Sequence, residues 1–388
     1  MESINLSSFD YRKIVSKTLK TDDFTILSAQ KTSLDEIGGY LGAHSSLKIT
    51  IKHLGKNQTL NYFAKCLPSN PSQRNLALEI NAFVKEDFFY GKFCHELTKH
   101  SIDLVDKIVP SCFYSRPNIL ILEDLTTKGY TTLPPRLPFD TNFVKAGLST
   151  LAKLHASGFF LQDKKSSKLC DHFDEFNTYY SDKPSVKKAI QLTRRGIEAL
   201  IDVYDETLTQ TKDKFKTKVL DGFDSRTLFG KSSTKFKSTI CHGDLWKNNF
   251  MFKVEDKIEC VLVDFQSYRY APPGQDVMTF LHFVTSEDVR TKHFDEFVEF
   301  YYNELVDNLG VGVLSKREFV ESCQYFKEFA LIQALGRCQM VAVPDQTKTV
   351  TFDDRYNFVK TMCQSDPVFR QINFEAVREL RRFYELNP

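Results

Sequence analysis

The chain has 388 residues, enough for two lobes or two domains with ample core. Its 41% hydrophobic and 26% charged content is that of an ordinary soluble globular protein, and a formal net charge of +2 gives no support to a general nucleic-acid or membrane-surface role. Nine scattered cysteines without a Cys-x-x-Cys pair argue against zinc and for a reduced, cytoplasmic setting in which they pack as small hydrophobes.

The N-terminal Met-Glu-Ser-Ile-Asn-Leu-Ser-Ser-Phe lacks the basic start and apolar core of a signal peptide. No stretch approaches the roughly 20 apolar residues of a membrane span. Phe9, Ile14, Val15 and Leu19 have helical spacing, so residues 8–20 are expected to form a leading helix. Phe24 to Ala29 reads as a strand. Ile37-Gly-Gly-Tyr-Leu-Gly-Ala-His44, followed by Ser45 and Ser46, is a glycine turn ahead of a strand at 47–53. Backbone N–H groups in such a turn can approach phosphates without side-chain obstruction, although glycines between strands also simply make hairpins.

In the strand 60–67, Lys65 shares a face with Phe63 and Leu67. A lysine on an apolar face needs either a partner or an edge position from which its ammonium reaches water. The next segment, 73–86, reads as one amphipathic helix with Leu76, Ile80 and Phe83 on its stripe. Glu79 flanks that stripe and can point towards Lys65; Glu86 is its rival. Two more strands are expected at 107–114 and 118–122, running into Glu123-Asp124-Leu125 and a Gly/Pro-containing loop at 126–138.

Residues 142–157 are expected to be a helix with Val144, Leu148, Leu151 and His155 on one face, stopped by Gly158. On that face His155 reads as a satisfied core residue. The polar stretches 161–190 and 209–238 read as solvated surface. Asp276 is expected to open a helix as its N-cap. Three amphipathic helices are expected at 294–306, 317–335 and 374–386.

The chemistry concentrates in residues 240–266: Ile-Cys-His-Gly-Asp-Leu-Trp-Lys-Asn-Asn-Phe-Met-Phe, a polar turn, then Ile-Glu-Cys-Val-Leu-Val-Asp-Phe-Gln. Apolar runs at 250–254 and 258–263 flank Glu255, Asp256 and Lys257, the pattern of a hairpin. The loop before it presents Asp244 and Asn249, and its second strand ends on Asp264. Two carboxylates and an amide on one supersecondary unit suit metal-assisted phosphoryl transfer. One carboxylate accepts the proton of an attacking hydroxyl; the other, with the amide, offers hard oxygen to magnesium. The spacing His-Gly-Asp, four residues, Asn, then a strand ending in Asp resembles the catalytic segment of the kinase superfamily. The His-Gly-Asp-Leu-Trp and Asp-Phe-Gln wording is closer to one branch of it. The chain resembles the ecdysteroid-kinase-like (CHK kinase-like) family, relatives of choline kinases and aminoglycoside phosphotransferases.

That resemblance implies an α+β, bilobal protein-kinase-like fold, with a small β-rich N-lobe over 1–124 and a large, mostly helical C-lobe over 125–388. It implies transfer of the ATP γ-phosphoryl group, with Mg2+, to a hydroxyl of an ecdysteroid-like steroid or another hydroxylated small molecule. Asp244 would be the catalytic base, and Asn249 and Asp264 would hold the metal. Lys65 would contact the α- and β-phosphates. Its partner would be Glu79, because Leu78-Glu-Ile-Asn-Ala-Phe83 resembles the family's helix. The glycine loop, with Gly39, Gly42 and Ser45, would lie over the nucleotide. Leu122-Glu-Asp-Leu125 resembles the family's hinge, where Glu123 and Leu125 would meet the adenine edge through backbone groups. Asp276 would also hold the catalytic loop in shape.

ATP and the small-molecule acceptor are the partners expected, with no nucleic acid, no membrane and no obligate protein partner. Two other readings stand beside this one. A choline- or ethanolamine-type kinase would draw an ammonium cage from Phe294-Asp-Glu-Phe-Val-Glu-Phe-Tyr-Tyr302. A catalytically inactive kinase-like binding protein would keep the fold alone.

Overall fold

The computed structural model describes residues 6–34, 41–177, 182–204, 212–225, 233–310, 312–344 and 354–387; Gly39 lies outside them. In chain order these residues form α1 (Ser8–Leu19), β1 (Thr25–Ser33), β2 (Ala43–His53), β3 (Lys56–Cys66), α2 (Pro71–Glu79), α3 (Ala82–Asp87), α4 (Cys94–Lys99), β4 (Cys112–Arg116) and β5 (Ile119–Glu123). There follow α5 (Thr141–Lys165), α6 (Leu169–His172), α7 (Pro184–Val203), α8 (Lys212–Ser225), β6 (Thr239–Cys241), β7 (Phe250–Val254), β8 (Ile258–Leu262) and β9 (Arg269–Ala271). The chain closes with α9 (Pro273–Val284), α10 (Glu287–Leu309), α11 (Lys316–Val341), α12 (Arg355–Ser365) and α13 (Pro367–Leu386). The fold class is therefore α+β, a small antiparallel sheet followed by a mostly helical remainder. Among the described residues no helix is long and apolar enough to cross a membrane.

The chain divides into two compact units, residues 1–131 with 251–267, and residues 132–250 with 268–388. This differs from a single boundary at 124/125. The β7–β8 hairpin returns to the first unit because Phe252 bridges Thr131 and the Leu262 N–H donates to the Ile108 carbonyl at 2.8 Å.

In the first unit the five strands are ordered β1-β2-β3-β5-β4, each pair antiparallel. Strand alternation puts Leu47, Ile49 and Ile51 of β2 and Tyr62 and Ala64 of β3 into one core with Ile14 and Val15 of α1. The other face of β3 carries Lys65. The expected strand at 107–114 starts only at Cys112, after a 3-10 turn over Leu104–Lys107. The single helix expected over 73–86 is two. Asn70 caps α2 by accepting from the Ser72 and Gln73 N–H groups, and Asn81, left-handed at φ 53°, breaks the run before α3.

In the second unit, α5 passes through Gly158 and ends at Lys165. Gly158 is a packing glycine rather than a stop. A Cβ there would lie 2.3 Å from Thr239 Oγ1 and 3.0 Å from the Ile240 nitrogen, so its absence lets β6 lie against α5. His155 is the core residue expected: Nδ1 lies 2.6 Å from the Tyr301 hydroxyl and Nε2 3.3 Å from Asp276 Oδ2. The stretches read as solvated surface hold buried residues: Leu169, Phe173 and Phe176 within 161–190, and one face of α8 within 209–238. Ile197, Leu200 and Ile201 of α7 and Phe215, Val219 and Phe223 of α8 join α11 and α13 in a second core. Lysines and threonines on the outer face of α8 hide that apolar spacing in the sequence. The N-cap of α9 is Pro272, and Asp276 sits inside its first turn.

His282 on α9 is buried, and its Nδ1 lies 2.8 Å from the Met278 carbonyl. Burial, reinforced by Arg290, pulls its pKa from 6.5 down to about 3. The folded-state value is depressed, so the stability drawn from the neutral ring is complete above about 6.5. It is lost as pH falls towards 3, at about 1.4 kcal/mol per unit. His282→Gln is therefore expected to lose less Tm between pH 7 and pH 5 than the wild type. An equal acid-induced loss in both proteins would remove His282 as the cause.

Candidate active site

In the first unit Lys65 lies on β3 opposite His44 of β2 and Leu120 of β5. It is 5% exposed. Its Nζ is 2.6 Å from Glu86 Oε2 and 2.8 Å from Asp264 Oδ1. Burial alone would strip the ammonium of its proton, but Asp264 and Glu86 outweigh burial and raise the lysine pKa. Burial pushes the Glu86 carboxyl up, to about 7, against the pull of Lys65.

The carboxylate that meets Lys65 is Glu86, not Glu79. The break at Ile80–Asn81 ends the Leu76/Ile80 stripe, and Glu79 becomes the half-buried last residue of α2. On α3 the buried residues are Ala82, Phe83 and Glu86, so Glu86 sits one turn beyond Phe83 on the inward face. That i, i+3 relation was the readable signal for it.

Asp264 follows β8 with φ 69°, a left-handed conformation that aspartate tolerates better than most residues. Its Oδ2 accepts from Gln266 Nε2 at 3.1 Å. The Phe265 ring stacks on Phe89 with centroids 3.7 Å apart, and the Phe265 N–H favours the charged form of Glu86. Gly42 lies against the same lysine, where a Cβ would come within 3.0 Å of Lys65 Cε and of His44 Nε2.

Ser45 does not share that face. It pairs with Ala64 and is buried on the core side with Leu47, so the register assigns the Lys65 face to His44 instead. At the expected hinge, the Glu123 N–H donates to the Ser111 carbonyl at 2.8 Å and the Leu125 carbonyl accepts from Tyr130 at 3.1 Å. Those two groups serve the fold; a hinge role would fall to the Glu123 carbonyl and the Leu125 N–H.

In the second unit Asp276 holds the loop that carries Asp244. Its Oδ2 accepts from the His242 N–H at 2.6 Å and its Oδ1 from the Gly243 N–H at 3.2 Å. Burial would raise its pKa, but the His155 hydrogen bond, with the charges of His155, His242 and Arg269, keeps it lowered. Gly243 has φ 78°, which glycine adopts without strain, and its carbonyl accepts from Arg269 Nη2 at 3.0 Å. Asp244 is 4% exposed. The Asn249 Nδ2 donates to the Asp244 carbonyl at 2.7 Å. This turns the amide oxygen to the other side of the group. Asp244 Oδ1 is paired with Arg337 of α11. The sequence reading missed Arg337; its one signal was a charge inside the apolar run Ala334-Leu-Gly-Arg-Cys338.

Asn249, in the second unit, and Asp264, in the first, each carry an oxygen donor of the hard kind that magnesium takes. His155, Cys241 and Asp276 also have ligand-type atoms within 4.8 Å of one another. That trio is structural. Asp276 is committed to the loop, the Cys241 thiol donates to the Ala271 carbonyl at 3.3 Å, and burial pushes that thiol well up. The run 294–302, considered as an ammonium cage, lies on α10 with Phe297 and Tyr301 wholly buried. It builds core.

With this geometry in hand, a model of the ecdysteroid kinase-like family matches residues 38–311, well over half the chain, and the protein belongs to that family. No curated protein sequence matches it. Among solved structures it is similar to an ethanolamine kinase of Plasmodium vivax, at 12% identity and TM-score 0.40, covering 94% of this chain and 89% of that one. It is also similar to a choline/ethanolamine kinase family protein of Mesorhizobium loti, at 13% identity and TM-score 0.37, covering 91% and 92%. A third is an aminoglycoside phosphotransferase of Streptomyces rimosus in complex with ADP and streptomycin, at 12% identity and TM-score 0.30, covering 73% and 90%. Likeness at this level argues nothing about the acceptor of this chain.

Glu86→Ala would leave a buried ammonium with one carboxylate in place of two. It is expected to destabilise the protein by about 3–5 kcal/mol in urea unfolding. Glu79→Ala is expected to cost under about 1 kcal/mol. Equal losses would count against the assignment of Glu86.

Proposed function

We propose that the protein transfers the γ-phosphoryl group of ATP, with magnesium, to a hydroxyl of an ecdysteroid-like steroid or another hydroxylated small molecule. The observation that carries this reading is the buried Lys65 ammonium held between Glu86 and Asp264. Such an arrangement keeps a cation in place for phosphate while leaving a carboxylate at a strand end for a metal. In this reading Lys65, steadied by Glu86, contacts the phosphates, and Gly42 keeps backbone close to its stem. Asn249 and Asp264 would hold magnesium, which supplies charge neutralisation on the phosphoryl oxygens. Asp244 orients the acceptor hydroxyl and takes its proton. Positioning and fixed charge supply most of the acceleration.

Family membership supports the reaction class. The nine cysteines form no disulfide among the described residues, which suits a reduced, cytoplasmic location. An inactive binding protein would have no need of the whole set Lys65, Glu86, Asp244, Asn249 and Asp264.

Asp244→Asn is expected to leave Mg·ATP binding within about twofold by titration calorimetry while lowering kcat by about 10²–10⁴-fold. Unchanged turnover would exclude Asp244 as the proton acceptor. Asp264→Asn is expected to weaken magnesium-dependent nucleotide binding by roughly tenfold or more. Wild-type magnesium dependence in that variant would count against the ligand role. Both variants are read in an ADP-release assay against ecdysone-type steroids, plant and drug-like alcohols, choline, ethanolamine and an aminoglycoside.

A further inference from the structure

Arg337 has no part in the scheme above, yet it is the side chain that meets Asp244. We propose that Arg337 is a positioning residue for Asp244 and that it also makes the acceptor subsite favour uncharged or anionic alcohols over ammonium compounds. This rests on the reading of Asp244 as the proton acceptor.

The positioning half follows from the two carboxylate oxygens. Arg337 Nη2 takes Asp244 Oδ1. The Asp244 side chain is 5% exposed and that of Arg337 32%. A guanidinium is planar and always charged, so it fixes the rotation of a buried carboxylate in a way water cannot. With Oδ1 committed, Oδ2 is the oxygen left for an incoming hydroxyl. The Asp244 backbone is held independently, through Asn249 at its carbonyl and Asp276 at the two preceding N–H groups. Backbone and side chain of the base thus have separate anchors, and Arg337 is the anchor of the side chain.

The selectivity half follows from what else surrounds Arg337 within the second unit. The hollow beside it is lined by apolar groups, Trp246, Phe283, Val341 and Ile372 among them, and its charged members are Lys247 and Arg337. Among the described residues no carboxylate lines it, and the acid whose charge acts on Lys247 is Glu375. A second hollow on Arg337 adds Arg269. Its one carboxylate, Asp276, is consumed by His242, Gly243 and His155. An ammonium group brought up to Asp244 approaches the Arg337 guanidinium that already neutralises this carboxylate, and Glu375 is opposed by Lys247; with the acids so engaged, the like charge of Arg337 repels it. A hydroxyl compound with an apolar body meets no such penalty, and an anionic one gains a guanidinium partner.

The test is initial-rate ADP formation with Mg·ATP by the full chain and by Arg337→Gln and Arg337→Lys. The acceptors are ecdysone-type steroids and neutral drug-like alcohols on one side, and choline and ethanolamine on the other. The wild type is expected to use neutral acceptors in an Asp244-dependent way and to prefer them to the ammonium compounds. Arg337→Gln is expected to lower kcat for the neutral acceptor by about 10²-fold while KM for ATP stays within about twofold. It should also narrow the preference for neutral over ammonium acceptors roughly tenfold. Arg337→Lys keeps the charge without the planar fork, so it should hold that preference while recovering only part of kcat. Because the wild-type preference needs no variant, and the lysine change is mild, the inference stays exposed even if Arg337→Gln folds poorly.

Asp244-dependent turnover that prefers choline or ethanolamine would overturn the selectivity half. Wild-type kcat in Arg337→Gln would overturn the positioning half. Either result would leave the kinase reading standing. A wild type silent towards every acceptor, or active without Asp244, would overturn the kinase reading and this inference with it.

Discussion

A lysine ammonium at 5% exposure cannot rest on a sheet face unless opposite charge comes to it. Much of the first unit answers that constraint. One carboxylate arrives on α3, which requires the helical run to break at Ile80–Asn81 so that Glu86 shares the inward face with Phe83. The other arrives on Asp264, whose left-handed turn aims its carboxylate at Nζ. Phe265 then stacks on Phe89, tying the segment after Asp264 to the one after Glu86. Lysine, helix break, strand-end turn and aromatic stack are parts of one electrostatic solution.

The second unit uses the same device on a backbone. Asp276 is a buried carboxylate that accepts from two consecutive loop N–H groups and from His155. Its partners are fixed dipoles and an imidazole, so the loop gains a defined shape. Gly158 is part of this arrangement. Without a Cβ, α5 accepts β6 at close range, and Thr239 Oγ1 donates to the His155 carbonyl at 2.9 Å. His155 is thereby held on both its backbone and its ring, which explains why a polar residue stands on the apolar face of α5.

Family membership sets the reaction class more firmly than the acceptor, for a chemical reason. Every alcohol phosphotransferase handles the same phosphates, metal and hydroxyl, so the groups that touch them recur at recognisable spacing. In the proposed scheme, recognition of the acceptor's body falls to helical surface, including α11, where the sequence displays only amphipathic periodicity. Arg337 belongs to that surface. It reaches Asp244 from 93 residues away and carries no local pattern that marks it.

The sequence by itself determined what depends on short range. The β7–β8 hairpin, the His242–Asp244–Asn249 spacing, the strand-end place of Asp264 and the apolar face around Lys65 could all be read directly, because alternation and turn chemistry act over a few residues. Tertiary structure alone decided which groups meet. Glu86 rather than Glu79 pairs with Lys65 across 21 residues, and Asp264 joins them across 199. Ser45 faces the core because register assigns the Lys65 side to His44. Gly158 continues a helix because β6 packs on it. The hairpin that begins in the middle of the chain returns to the first unit through Phe252 and Leu262. In each case the choice rests on register and on the approach of distant elements, and one-dimensional periodicity, which repeats identically for rivals one or two turns apart, does not encode it.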